Sequence, residues 1–309
     1  MFYFHKTKKT QQGVTLTELL IAMTIAVIVI SMGFKIYLSS KQIYQSNRTS
    51  TVADVRELSA KKVIYDAVTN AGLSCKYGAK TQKYINRTGD FEARDDFVYD
   101  GSTIRVGKIS QVGDYIKTSL AGNCKGVCYQ PNSDFIMLKK EESFARLAAA
   151  PVNLTLKLDK RVRWEQGDYL ALCNNDDVDI VKVEKNDRNN NDRFNDIRLA
   201  TTPYSEYGKG DYIGKVDVNI FYIGDRGEKD EQGNIFYSLN LFTNNGSISS
   251  SYSLIEGVSD LKVSYALINN KKLHWRNVDK TIDIDKTDYQ ALKISFKVNG
   301  KRFERVILL

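Results

Sequence analysis

At 309 residues, 42% of them hydrophobic and 11% aromatic, the chain has ample material for a buried core in one large or two medium domains. The 45 Lys and Arg outnumber the 37 Asp and Glu for a net charge of +8, but the two signs are interspersed and no dense basic cluster favours nucleic acid. The two histidines, His5 and His274, are too few for a His-based metal site or a Ser-His-Asp triad, and no pair of carboxylates stands out for acid–base work.

The chain opens with a short basic segment, Lys6, Lys8 and Lys9 within the first ten residues, and reaches Gly13. From Val14 to Phe34 there follows an apolar run with a single charge, Glu18. At ~1.5 Å per residue this run makes about 31 Å of helix, enough to cross the hydrocarbon of a bilayer. A secretory signal would be shorter and end in a small-residue cleavage site, whereas here helical character continues through Lys35-Ile36-Tyr37-Leu38-Ser39-Ser40-Lys41. Positive residues before the run predict a cytoplasmic start and an exported body.

Glu18 needs a reason, because a carboxylate at mid-membrane costs about 2.5–3.5 kcal/mol on insertion scales. One account is that it sits shallow in the first turns, where the helix dipole favours a negative charge. The other starts at Gly13. Cleavage after it frees an amine at Val14, largely protonated at neutral pH, which a Glu18 on a neighbouring subunit can pair with as apolar helices pack. The pair would set the axial stagger between helices, and this is the reading taken. Removal of residues 1–13 would take three positive residues with it, leaving 42 against 37.

The basic leader, Gly13 and Val14-Thr15-Leu16-Thr17-Glu18-Leu19-Leu20-Ile21-Ala22 closely resemble the class III signal of type IV pilins and type II secretion pseudopilins. The resemblance implies that prepilin peptidase cuts after Gly13, that Val14 becomes the N-methylated terminus, and that Glu18 serves subunit recruitment. The family most often has Phe where this chain has Val14.

Helical pattern continues to about Asn70, with Gly33 its only internal glycine and Ala71-Gly72 a plausible stop. After Leu38 it turns amphipathic, and Val52, Val55, Leu58, Tyr65 and Val68 form the stripe expected to face the body. The expected segments are thus a leader at 1–13, a transmembrane or filament-core helix at 14–37, its amphipathic continuation at 38–72 and a β-rich exported domain at 73–309. Eighteen Tyr and thirteen Phe with only three Pro suit such a body. Strands are predicted at Asp134–Leu138, Val152–Leu158, Asp168–Cys173, Val178–Val183, Val216–Ile223, Ile235–Phe242, Val258–Leu267, Leu292–Val298 and Phe303–Leu309, separated by Gly, Asn and Asp clusters. The expected fold class is α+β, a long N-terminal helix packed on a mainly antiparallel sheet.

Four cysteines, Cys75, Cys124, Cys128 and Cys173, fall in the exported body, where disulfides persist. Two bridges are expected, Cys124–Cys128 across a Lys-Gly-Val loop and Cys75–Cys173 from the helix end to the sheet. A four-thiolate zinc site and buried free thiols are the alternatives. In the run 186–196, Asp187, Asn189 and Asn191 imitate a calcium loop, but Asp192 replaces its turn glycine and Arg198 its closing Glu, so a solvated loop is the reading. No cofactor is called for.

Further along, Ile36–Tyr44, Ala71–Cys75, Gly167–Cys173 and Leu254–Val258 with Leu261 and Tyr265 resemble PilW-type minor pilins, although that family's usual closing Arg-Asn is missing. The resemblance implies a minor pilin, not an enzyme, anchored in the bacterial inner membrane with a periplasmic body and placed at the pilus or its tip. Its partners would be prepilin peptidase, other minor pilins, the major pilin and the inner-membrane assembly machinery. A minor pseudopilin of a type II secretion system and a tip adhesin or DNA-binding subunit are the alternatives.

Overall fold

The computed structural model describes residues 15–72, 84–89, 98, 101–120, 128–187, 196–229, 233, 235–269, 272–284 and 289–309. The chain divides into two compact units, Met1–Asp54 and Val55–Leu309. In the first, the described residues are helix α1, which spans Leu16–Thr69 and so continues into the second unit. The second is otherwise β-rich, and the architecture is α+β with a mostly antiparallel body.

Strands β1 (Tyr84–Arg87), β2 (Ile104–Lys108), β3 (Asp134–Arg146), β4 (Thr155–Lys157), β5 (Tyr169–Cys173), β6 (Val178–Asp187), β7 (Asp196–Leu199), β8 (Tyr212–Lys229), β9 (Ile235–Asn244), β10 (Ser249–Glu256) and β13 (Ile282–Ile284) form an 11-stranded sheet. Its main path runs β13-β2-β3-β8-β5-β6-β7-β4, with β9 also on β8, β10 on β9, and β1 parallel to β6. A second sheet of four strands runs β12 (Lys272–Asn277), β11 (Val258–Asn269), β14 (Tyr289–Val298), β15 (Lys301–Leu308), all antiparallel. The chain passes from one sheet to the other at Gly257, whose φ of 75° suits a residue without Cβ. A Cβ there would lie 3.0 Å from both Arg56 Nη1 and Asn299 Oδ1.

Alternation explains why the large sheet is buried on both faces. In β5, Ala171 and Cys173 enter one core with Val218, Ile220, Tyr222 and Phe242. Leu170 and Leu172 enter the opposite core with Trp164, Val181, Val183 and Leu199. Helix α2 (Gly113–Ser119) closes the first core with Tyr115 and Ile116. A strand buried on both sides reads as a continuous apolar run, which is why Tyr169–Cys173 is legible in sequence.

The helix stripe differs from the expected one except at Val68, which is buried as expected. Ala60, Ile64 and Val68 are the buried residues of α1, four apart. Val52, Val55, Leu58 and Tyr65 are exposed. Ala60 is small, and a pattern built on large apolar residues passes over it. Within the second unit, α1 meets β15: the Arg305 guanidinium lies 5.1 Å from the Tyr65 ring centroid and Lys61 Nζ 5.5 Å from that of Phe303. The helix ends near the expected stop, and Gly72 donates its N–H to Lys139 O at 2.9 Å, tying the exit to β3.

Ile64 is 1% exposed, so Ile64→Ala removes contacts that no water replaces. It should destabilise the body by about 2–4 kcal/mol in urea unfolding. Leu58→Ala, on the exposed side, should change stability by less than about 0.5 kcal/mol.

Candidate functional site

The site begins where α1 begins. Thr15 precedes the helix, and its N–H and hydroxyl both donate to Glu18 Oε2, at 3.0 and 2.9 Å, while Glu18 N–H faces Thr15 Oγ1 at 3.4 Å. This reciprocal arrangement is a capping box, Thr-x-x-Glu, and it satisfies N–H groups that the first helical turn otherwise leaves bare. The sequence reading passed over it, although Thr15-Leu16-Thr17-Glu18 carries the signature. Glu18 therefore has a role within its own chain, and its second oxygen, Oε1, takes part in neither Thr15 bond.

Beyond the cap, the helix presents apolar side chains on every side. Leu19, Leu20, Ile21, Met23, Ile25, Val27, Ile28, Val29, Ile30, Met32, Phe34 and Ile36 are all more than half exposed. Hydroxyls in this stretch bond back to the helix: Thr24 to Leu20 O and Ile21 O, Ser31 to Val27 O. Such bonding is what a segment in lipid requires, since no water is there to accept them. Length and composition suffice to cross a membrane, and none of the most apolar stretch is buried within the chain. At Gly33 an added Cβ would meet nothing within 4 Å, so the chain itself gives no packing reason for that glycine.

Gly13 and Val14 lie outside the described residues, as do Cys75 and Cys124. Cys128 and Cys173 are described, nearly fully buried, and disulfide-bonded, so neither is a free thiol. Cys128 has φ 73° and its carbonyl accepts from Asp225 N–H, beside β8; Cys173 ends β5. Of the run 186–196, residues 188–195 lie outside the described ones. Among the described residues no group of three His, Cys, Asp or Glu is placed to hold a metal ion.

Two features of the body had little sequence signal. Asp168, fully buried at the start of β5, accepts from Glu165 N–H, Ser247 Oγ and Lys215 Nζ at 2.7, 2.6 and 3.0 Å. It pins the Gly167 turn to the β9–β10 turn. The second is Asp217 on β8, opposite Lys140 of β3 and close to Glu142. Burial, then the hydrogen bond and charge of Glu142, push its carboxyl up to about 7 against the opposing pull of Lys140 and Lys215.

Residues 8–34 match the Prokaryotic N-terminal methylation motif, which joins the basic leader to the exposed apolar helix. The chain thus has the N-terminus of a type IV pilin-like protein, a class that prepilin peptidase processes and that assembles with other pilins. Motif and helix together fit a membrane-anchored pilin that forms part of a pilus, a structural subunit. No curated protein and no solved structure matches the chain.

From about pH 4 to pH 7 the folded chain keeps a proton on Asp217 that the unfolded chain releases. The stabilisation by this group is complete at low pH and is lost as pH rises through that window. Asp217→Asn should therefore raise the melting temperature at pH 8 and leave it nearly unchanged at pH 4, measured on the same preparation.

Proposed function

We propose that this chain is a minor pilin of PilW type that primes or caps assembly of a type IV pilus through its N-terminal helix. The observation that carries the reading is the methylation motif at residues 8–34 continuing into a helix whose apolar surface has no cover among the described residues. A surface of that kind is stable in lipid and equally against the helices of other subunits, so one segment serves both before and after assembly. In this reading cleavage follows Gly13, Val14 carries the methyl group, and the body is held on the periplasmic side of the inner membrane until it enters the filament. Its neighbours there are other minor pilins, the major pilin and the assembly machinery.

Glu18 has two successive partners in this mechanism. Before assembly it caps its own helix through Thr15. During assembly its carboxylate meets the charged amine of a neighbour's Val14, and the pair, shielded from water by packed helices, fixes their register. The exposed Val55 and Leu58 prolong the apolar side of α1 toward the body and offer further contact to adjacent helices. For the cysteines, Cys124–Cys128 and Cys75–Cys173 is the proposed pairing, the second joining the helix end to β5. The islands at Ser39–Tyr44 and Glu256–Val258 favour the pilus over a type II secretion pseudopilin, which carries the same leader.

Mass spectrometry of the protein recovered from sheared filaments should show a chain beginning at Val14, one methyl heavier than the bare sequence; an intact Met1 would refute the reading. Non-reducing peptide maps should contain the linked pairs 124–128 and 75–173. Glu18→Ala should leave the protein inserted in membranes at normal level but lower its recovery in filaments about tenfold or more. Deletion of the gene should abolish or shorten pili while leaving type II secretion intact, and the opposite pattern would favour the pseudopilin.

A further inference from the structure

From Gln232 to Ile255 the chain has no Asp, Glu, Lys or Arg, although 27% of its residues are charged. From Ile235 onward this stretch forms the β9–β10 hairpin, and β10 is an edge: among the described residues its ladder partner is β9 alone. Among the described residues, the backbone of Ser249–Ile255 makes no other hydrogen bond. Ile248 is 59% and Tyr252 55% exposed, with Leu254 also open. An edge of this kind presents a row of free N–H and C=O groups to any strand that approaches, and proteins ordinarily block it with charge, proline or cover.

The other edge strands of the described sheets are blocked in that way. β12 carries Lys272 and Arg276, β15 carries Lys301, Arg302 and Arg305, and the short edges β13, β4 and β1 carry Asp283, Lys157 and Arg87. The difference matters most for pairing of like with like. In a two-fold antiparallel pair the residue on the axis meets its own copy and those on either side of it meet each other's, so like charges close to the axis would confront one another. Over Ser249–Ile255 β10 can meet a copy of itself without that cost, its one charged residue, Glu256, lying at the end of the strand. A two-fold axis through Ser251 sets Ser249 against Ser253, Ser250 against Tyr252 and exposed Ile248 against exposed Leu254.

We propose that the outer edge of β10 pairs antiparallel with the same edge of a second copy of this chain, making one continuous sheet across the dimer. Strand-to-strand hydrogen bonds supply the contact and the uncharged, serine-rich faces allow it. A single strand edge covers less than the ~1,200–2,000 Å² of a standard interface, so the dimer forms in proportion to concentration and gains where anchor helices hold two copies in one membrane. The inference concerns the body and stands apart from the filament reading.

The test is sedimentation velocity of the full chain in detergent micelles over a concentration series, with hydrogen exchange read on Ser249–Leu254. Wild type should pass from monomer to dimer while those amides slow with concentration. Tyr252→Lys and Ser250→Lys, at exposed or half-exposed positions, should weaken dimerisation about tenfold or more at unchanged melting temperature, and Leu273→Lys on the β12 edge should have no effect. A dimer that survives Tyr252→Lys would be held by other surfaces and would overturn the proposal. So would a wild type that stays monomeric and protects β10 only when another pilin-type subunit is added.

Discussion

Water is a poor solvent for the side chains that α1 displays from Leu16 to Leu38, and the chain does not cover them. Full burial of a Leu, Ile or Phe side chain returns about 1.5–3 kcal/mol, and the ten in this stretch are exposed by 44% to 77%. Among the described residues nothing removes that demand, and lipid or other apolar helices would meet it. Everything distinctive about the N-terminus is consistent with this constraint. Hydroxyls turn inward to the helix carbonyls, and the single carboxylate is held at the helix start, where a cap and a favourable dipole make its presence tolerable.

The body meets a different requirement. A sheet of eleven strands with apolar residues on both faces needs cover on both. Helix α2 supplies part of it on one side, and the two loops carrying Trp164 and Tyr207, before β5 and before β8, on the other. The final turns of α1 belong to this unit, with Ala60, Ile64 and Val68 sunk in it and cationic side chains lying over aromatic rings at the margin. One helix therefore changes character along its length, all apolar at first and then amphipathic. That change marks the passage from a segment that needs foreign cover to one that finds it at home.

Several strands escaped the sequence reading for identifiable reasons. β10 is rich in serine and offers no apolar alternation, so its pairing to β9 comes from the neighbouring strand and not from its own side chains. β12 is exposed at all six positions and is ordered by β11. β3 and β8 run well beyond their apolar centres because each is the other's partner, and polar residues such as Lys140 and Asp217 are carried along by the ladder. The stripe on α1 was misread in part because the buried line, Ala60, Ile64 and Val68, includes a small residue that a pattern of large apolar side chains leaves out. Asp168 and Asp217 were invisible, since a buried acid is recognised by what surrounds it, and partners such as Ser247 and Lys215 for Asp168 and Glu142 for Asp217 are distant in sequence.

Sequence alone determined the local and one-dimensional properties of this protein: a basic start, an uninterrupted apolar helix with one acid near its beginning, a body of antiparallel strands, and the likeness to pilin-type N-termini. These are legible because helix length, hydropathy and a short peptidase signal depend on neighbours along the chain. Tertiary structure decided which face of α1 is buried, which strands lie at edges, how two sheets divide the body, and which carboxylates lose contact with water. Those outcomes depend on contacts between residues far apart in the chain, where small residues and hydrogen-bond partners count as much as hydrophobicity and leave no periodic trace.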